Sequence, residues 1–267
     1  MKQIIFDLWT NKRMVLSLAK NDFKQRFAGS YFGIMWAFVN PVVTIMLYWF
    51  VFTIGFRNPQ SNGSYPFVLW LIAGLIPWFL FSEALTSGTN ALLEYSYLVK
   101  KVVFKIDILP IVKIMSASVV HFFFLIMMVI VYWFMGYPPS LYQLQIIYYL
   151  ICMWMLLIAL VYTTSAIVLF FRDLGQIITI FMQVFMWMTP IMWDESALGG
   201  GKITLMYKLN PMYYVVRGYR ESFLTYNWVT NHLWSTVYFW GVVIVCMIIG
   251  TTTVSYTHLT LPTTERV

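Results

Sequence analysis

The chain has 267 residues, of which 61% are hydrophobic, 19% aromatic and only 10% charged, and its formal charge is +7. Soluble domains carry about 25% charged residues, so this composition excludes a soluble globule and a disordered chain. We expect an integral membrane protein with one membrane domain, whose positive charge marks its cytoplasmic side and does not indicate a nucleic-acid partner.

The first predicted element is an amphipathic helix over residues 12–27, within a basic N-terminal segment that covers residues 1–33. Its apolar face is predicted from helical spacing to contain Leu16, Ala19, Phe23 and Phe27. Such a helix lies in the membrane interface with its cations level with the lipid headgroups. It is either an anchor or a docking surface for an anionic, lipid-linked substrate. The basic residues of this candidate surface are Arg13, Lys20, Lys24 and Arg26.

Six later stretches are apolar and long enough to cross a bilayer, which takes roughly 20 residues. They are residues 34–56, 67–86, 108–135, 146–171, 177–193 and 234–254. The fifth stretch is short and ends near a proline, so the alternative is five spans, with residues 177–224 not crossing. With six spans, 12 of the 17 Lys and Arg residues lie on the N-terminal side. Both termini are therefore predicted to be cytoplasmic.

Two connections between the predicted spans are partly apolar. Residues 93–107 mix charges with apolar side chains, which cover either the base of the bundle itself or a partner protein. The external connection, residues 194–233, contains a stretch at 212–224 that is too polar and too short to span. We expect a pair of short helices dipping into the outer leaflet there, with a structural ion pair between Arg217 and Glu221 at i,i+4 spacing.

No motif for chemistry is found in the sequence, which lacks a phosphate-binding loop, a nucleophile elbow and a metalloprotease helix. His121 lies in the middle of a span, where it is either functional or a neutral, hydrogen-bonded packing residue. Glu83 and Lys113 lie near span ends, where snorkelling explains them. We therefore expect no enzyme, no metal and no cofactor bound by this chain, and the energy source must be another subunit.

Five sequence landmarks, in order, resemble the ABC-2 permeases of bacterial polysaccharide exporters, a family that includes O-antigen, capsule and teichoic-acid exporters. They are residues 27–41, 74–84, 98–104, 171–174 with 188–191, and 209–212 with 217–220. Two departures are Lys105-Ile106-Asp107, where the family often has Pro-Arg-Glu, and residues 255–267, which do not look like the family's short basic ending. We assign no function to that tail, and the permease domain is predicted over residues 34–254.

The resemblance implies partners: a second copy of the chain and two cytoplasmic ABC ATPase subunits, which would use ATP and Mg²⁺. By the same likeness, residues 93–104 would be a coupling helix that touches the ATPase through Glu94, Tyr95, Leu98, Lys100 and Lys101. Residues 1–33 would form a gate helix beside it. The external end would be closed by a gate that includes Asn210, Pro211, Tyr214, Arg217, Arg220 and Glu221.

The expected fold is thus an all-α polytopic membrane protein of a bacterial inner membrane, with an interfacial helix and short re-entrant helices. One six-helix bundle is too small to enclose a sugar chain, so a dimer would form the path for a lipid-linked glycan. Aromatic rings stack on the faces of sugars, and the predicted lining residues are Trp36, Tyr48, Trp49, Trp78, Phe81 and Tyr162. The alternatives are an exporter of a drug or small lipid, a membrane glycosyl- or acyltransferase, and a scaffold without transport.

Overall fold

A computed structural model describes residues 10–55, 65–95, 108–193 and 207–260, with side chains described as far as residue 253. Every regular element in these ranges is helical, which confirms the all-α prediction. In chain order the helices are α1 (Lys12–Arg26), α2 (Trp36–Phe50), α3 (Phe67–Thr89), α4 (Ala91–Glu94), α5 (Leu109–Phe134), α6 (Gln145–Ile167), α7 (Leu174–Met188), α8 (Pro211–Arg220) and α9 (Leu233–Thr260).

Five helical segments are long and apolar enough to cross a membrane, so the chain is a multi-pass membrane protein. They contain α2, α3, α5, α6 and α9, and they cover Gly33–Gly55, Phe67–Thr89, Leu109–Phe134, Leu141–Ile167 and Val229–Thr253. The fifth predicted span, residues 177–193, corresponds to α7, which has 15 residues. At about 1.5 Å per residue, α7 is shorter than the roughly 30 Å hydrocarbon core, so six complete spans are not confirmed.

Helix α3 is the centre of the bundle, and most of its side chains are buried. Its apolar residues show little helical asymmetry because α2, α5, α6, α7 and α8 all pack around it. Two glycines of α3 let neighbouring segments approach this helix closely. A Cβ at Gly88 would lie 2.6 Å from Val161 of α6, and one at Gly74 would lie 3.1 Å from Ile191, beyond the end of α7. Small residues at such crossings let neighbouring backbones pack closely.

Helix α1 packs across the start of α5, where Val15 and Ala19 contact Ile108 and Val112. We call this end of the bundle the base. The helix predicted here is confirmed, but Leu16 of its predicted apolar face does not pack on the bundle and is exposed within the chain. Val15 takes its place, since positions 15, 19, 22 and 23 follow the 3.6-residue period on the side that faces α5.

The other long helices alternate in direction between the base and the opposite end, which we call the far end. At the base, the hydroxyl of Thr89 in α3 donates to that of Thr164 in α6 over 2.8 Å. At the far end, Tyr132 of α5 donates to the carbonyl of Leu69 at the start of α3 over 2.7 Å. Helix α9 runs back along α6 to the base, where Gly250 lies against Ala159. The two ends of the described chain therefore lie at the base.

Helices α7 and α8 meet beside α3. Helix α7 begins at the base beside Asn90, and its last residue is followed by Thr189, which accepts a hydrogen bond from Asn210 at the start of α8 over 2.9 Å. Beyond α8 and a π-helical turn, the carbonyl of Asn227 accepts a hydrogen bond from Gln145, the first residue of α6, over 2.9 Å. Helix α7 thus starts at the base and ends beside the start of α8, which packs against α6 at the far end.

Candidate functional site

A groove of about 400 Å³ lies between α1, α2, α3, α5 and α7. Three aromatic side chains line it, namely Trp36 and Tyr48 from α2 and Trp78 from α3. Arg26 and Glu83 lie at its base end. The groove also contains hydrogen-bonding groups, which come from Asn40, Thr44, Ser82 and His121. Aromatic faces beside scattered polar groups suit a ligand that has both apolar C–H faces and hydroxyls.

Half of the aromatics that the sequence assigns to a substrate path share this groove, namely Trp36, Tyr48 and Trp78. Trp49 is 40% exposed and does not line it. Phe81 and Tyr162 are buried in the packed interior. The Phe81 ring packs between those of Trp78 and Phe185, with centroids 5.9 and 6.3 Å away. The positions of Phe81 and Tyr162 give no support to a path role.

A second cleft, of about 460 Å³, opens at the base and contains a cluster of ion pairs. The ammonium of Lys113 lies 2.6 Å from Asp22 of α1 and 2.5 Å from Glu94 of α4. The hydroxyl of Tyr95 donates to the same Asp22 oxygen over 2.7 Å. Burial alone would raise the pKa of the Asp22 carboxyl, but hydrogen bonds from Lys113, Ser116 and Tyr95 and the Lys113 charge hold that pKa below its ordinary value.

Lys113 is buried in this cluster, so the expectation that it snorkels to solvent is wrong. The physical reason is that Asp22, also buried, compensates its charge inside the protein, which makes burial of the ammonium tolerable. Lys113 also lies over the ring of Tyr95, 5.0 Å from its centroid, which adds a cation–π contact.

The basic residues of α1 divide into two groups. Four of them are exposed, and they are Lys12, Arg13, Lys20 and Lys24. Arg26 is partly buried, at 22% side-chain exposure, and contacts the carboxylate of Asp22 at 3.3 Å and that of Glu83. It also lies 3.5 Å from the Ser116 hydroxyl. Arg26 and Glu83 are the two residues that the described base cleft and groove have in common.

The predicted coupling helix is described only at its first residues. Glu94 is about half exposed, at 52% of its side chain, and faces the base cleft. Tyr95 is buried against α1, so its hydroxyl serves a contact within the chain. Leu98, Lys100 and Lys101 lie outside the described residues, and their assignment stays a prediction.

His121 connects three helices at mid-depth. One ring nitrogen lies 3.3 Å from the carbonyl of Ile76 in α3, and the other lies 2.9 Å from the hydroxyl of Tyr219 in α8. A neutral imidazole satisfies both contacts, with one nitrogen donating to the carbonyl and the other accepting from the hydroxyl. This geometry is that of the predicted packing histidine, although the ring also borders the groove.

At the far end, the residues predicted to form an external gate build and hold α8. Asn210 caps the helix by accepting from the Met212 amide over 2.8 Å, and Pro211 occupies its first turn. The Tyr214 ring stacks on Phe239, with centroids 4.8 Å apart. These three positions begin α8 and fix it against α9.

The charged members of that set lie at the other end of α8. The predicted Arg217–Glu221 pair forms, at 2.7 Å, and His232 lies 3.0 Å from the same Glu221 oxygen. Arg220 is buried over the ring of Trp70 and donates to the backbone carbonyls of Pro190 and Ile191, over 2.6 Å each. It thereby holds the chain just after α7 against α3.

The comparison with protein families decides the assignment. The family described as "ABC-2 type transporter" matches residues 13–224, which is well over half of the chain. The chain belongs to the ABC-2 type transporter family. This ABC-2 permease is therefore the membrane subunit of a transporter, not an enzyme, and the family implies an ABC ATPase subunit as its partner.

Curated relatives cover most of the permease. The O-antigen export system permease protein RfbA of Myxococcus xanthus is 27% identical over 229 residues, which cover 84% of this chain and 85% of that protein. A protein of the same name from Klebsiella pneumoniae is 27% identical over 223 residues, covering 82% of each chain. Another from Klebsiella pneumoniae is 25% identical over 236 residues, covering 86% of this chain and 87% of the relative.

The sequence interpretation of the permease missed Asp22 and misassigned Lys113, the two buried charges of the base. One signal could have found Asp22, because it lies between Ala19 and Phe23 on the side of α1 that repeats as apolar. An acid on a buried face requires a buried partner, and Lys113 lies in the first turns of the third predicted span. Pairing the two would have needed knowledge of how α1 crosses α5.

Proposed function

We propose that the permease exports a polysaccharide attached to a lipid carrier, moving it from the cytoplasmic to the outer side of a bacterial inner membrane. The O-antigen export relatives support this substrate class. The observation that carries the proposal is the groove, which is lined by Trp36 and Tyr48, by the edge of the largely buried Trp78, and by a set of hydroxyl and amide groups. Such a surface binds sugar rings by stacking and weak hydrogen bonds, which permits sliding.

A second copy of the permease would complete the path. The groove holds about 400 Å³ and is bounded by helices of one chain, which leaves too little room for a polysaccharide. Helix α2 forms one wall, yet within the segment Gly33–Gly55 only 11% of the most apolar stretch is buried inside the chain. A dimer that covers part of α2 would enlarge the groove while keeping its aromatic wall.

The ATPase would bind at the base, which would face the cytoplasm. The excess of basic residues predicted on that side supports this orientation. At the base, Glu94 offers a half-exposed carboxylate beside the cleft, directly before residues 96–107. We therefore keep the assignment of Glu94, Leu98, Lys100 and Lys101 as docking residues and withdraw Tyr95, whose hydroxyl is bonded to Asp22.

Reconstitution tests the proposed substrate. The permease and its partner ABC ATPase are placed in vesicles with a lipid-linked glycan, and appearance of the glycan at the opposite face is followed with a lectin. We expect movement that requires ATP and both proteins. Movement of a drug or a free phospholipid in preference to the glycan would contradict the proposal.

A pair of tryptophan variants tests the groove itself. Trp36 and Trp49 belong to the same helix and are similarly exposed, at 38% and 40%, but only Trp36 lines the groove. We expect Trp36→Ala to slow glycan movement about tenfold, since one lost stacking contact is worth roughly 1–2 kcal/mol. Trp49→Ala is the matched control and should transport at the rate of the unmodified protein.

A further inference from the structure

The pair formed by Arg26 and Glu83 lies where the base cleft meets the groove. These two residues line both cavities, and their side chains contact each other across the opening between α1 and α3. Any group that passes from the cleft into the groove meets this pair. The chemistry of the pair therefore bears on which substrates can pass.

The two partners are held very differently. The guanidinium of Arg26 has further contacts with the buried Asp22, at 3.3 Å, and with Ser116, at 3.5 Å. Its side chain is 22% exposed. The Glu83 side chain is 50% exposed, and Arg26 is its described charged partner. The arginine is thus fixed in the protein, whereas the carboxylate can leave for solvent with little loss.

A carboxylate and a phosphate compete for the same face of a guanidinium. Both present two oxygens that match its planar fork of N–H donors. A half-exposed ion pair contributes little free energy, because water solvates the separated charges well. A phosphate that reached Arg26 could therefore displace Glu83, and the exchange keeps an anion on the guanidinium beside Asp22 and Lys113.

We propose that Glu83 is a built-in competitor for an anion site on Arg26. Without substrate, the carboxylate of Glu83 pairs with the guanidinium of Arg26. A phosphate group on the substrate displaces this carboxylate on the way into the groove. This inference rests on the proposed function, since it takes the lipid carrier to bear a phosphate. Glu83 then sets selectivity, because a neutral lipid cannot open the pair.

Equilibrium binding tests the competition. The full-length permease is placed in nanodiscs of phosphatidylcholine, and binding of farnesyl diphosphate, a prenyl chain with a phosphate head, is compared with that of uncharged farnesol. Inorganic pyrophosphate is the third probe and shows whether the phosphate alone suffices. We expect Glu83→Gln to tighten farnesyl diphosphate binding roughly threefold, within the range that an exposed ion pair supports. Farnesol binding should not change.

The matched control is Glu94→Gln, which neutralises another half-exposed acid of the same cleft that pairs with Lys113 instead of Arg26. It should leave the affinity unchanged. Arg26→Gln should abolish the preference for farnesyl diphosphate over farnesol. Arg26→Lys keeps a positive charge beside Asp22 and replaces the glutamine variant if that variant does not fold. It should retain a weaker preference for farnesyl diphosphate over farnesol.

The outcomes separate this inference from the proposed function. Equal affinity in Glu83→Gln and the unmodified permease, with loss in Arg26→Gln, would overturn the competition while leaving phosphate recognition intact. An equal gain in affinity for farnesyl diphosphate in Glu83→Gln and Glu94→Gln would show that only the net charge of the cleft matters. That result would also overturn the competition. If the unmodified permease and all of the variants bind farnesyl diphosphate and farnesol equally well, the anion site itself is refuted. Glycan export is judged separately by the vesicle assay.

Discussion

The permease contains two clusters of charged side chains, one at each end of the bundle, and they are built on different principles. At the base, Asp22 and Lys113 are both buried and are 91 positions apart in the chain. At the far end, Arg217 and Glu221 are one helical turn apart on α8, and the arginine side chain is 30% exposed. The base cluster joins separate helices, whereas the far-end pair lies within one helix, with a buried Glu221 beside His232 and a partly exposed Arg217.

This difference suggests different roles in the stability of the bundle. A buried ion pair is weak evidence of net stabilisation, but removing one partner leaves an uncompensated charge in a low-dielectric interior. At the far end Glu221 is buried, but removing its charge leaves Arg217, which is partly exposed to water. A local helix pair that leaves such a residual charge contributes only a few tenths of a kcal/mol to about 1 kcal/mol. The base cluster should therefore respond strongly to the loss of one charge, and the far-end pair weakly.

The strongest test removes Lys113. We expect Lys113→Met to lower the free energy of unfolding by about 3 kcal/mol, at the low end for a broken buried pair because Arg26 still contacts Asp22. The measurement is the midpoint of thermal unfolding in detergent. Lys24→Met removes an exposed charge from α1 and should leave the midpoint in place. If both variants shift it equally, the base cluster is no more than surface charge.

The second test addresses how α8 is held at the far end, where packing contributes more than charge. A Cβ at Gly218 would overlap the ring of Tyr149 in α6. We expect Gly218→Ala to destabilise the permease by about 2 kcal/mol, since a buried ring must move. A Cβ at Gly241 of α9 would meet no described neighbour within 4 Å, so Gly241→Ala is the control and should cause no loss. If Gly218→Ala left the free energy of unfolding unchanged, α8 would be loosely packed against α6.

The sequence predicted what depends on local periodicity. It predicted the amphipathic helix, the long apolar helices and the Arg217–Glu221 pair, because each follows from side chains one or two turns apart. It misjudged Lys113 and missed Asp22, because their pairing depends on the crossing of α1 over α5. It also could not show that Arg220 of α8 holds the chain just after α7, because this contact joins residues 29 and 30 positions apart.

A smaller effect is expected at the far-end pair. Glu221→Gln removes the negative charge next to Arg217 and His232 but keeps an oxygen that can accept from the arginine. We expect a loss of about 0.5–1 kcal/mol, well below that for Lys113→Met. The same unfolding assay measures it, at low and high salt, because a partly exposed pair is screened. A loss equal to that of Lys113→Met would remove the contrast between the two ends.

The smallest effect is expected from acid titration of Asp22. Its folded-state pKa lies below the ordinary value of 3.8, so the unfolded chain takes up the proton first as the pH falls. The stabilisation is therefore fully present above about pH 4 and is lost as the pH falls through the lowered pKa. Unfolding midpoints between about pH 5 and pH 3 should fall more steeply for the unmodified permease than for Asp22→Asn, in which this group no longer titrates. Parallel slopes would mean that the buried carboxylate gains nothing from Lys113 and Tyr95, and the base cluster would then resemble the far-end pair.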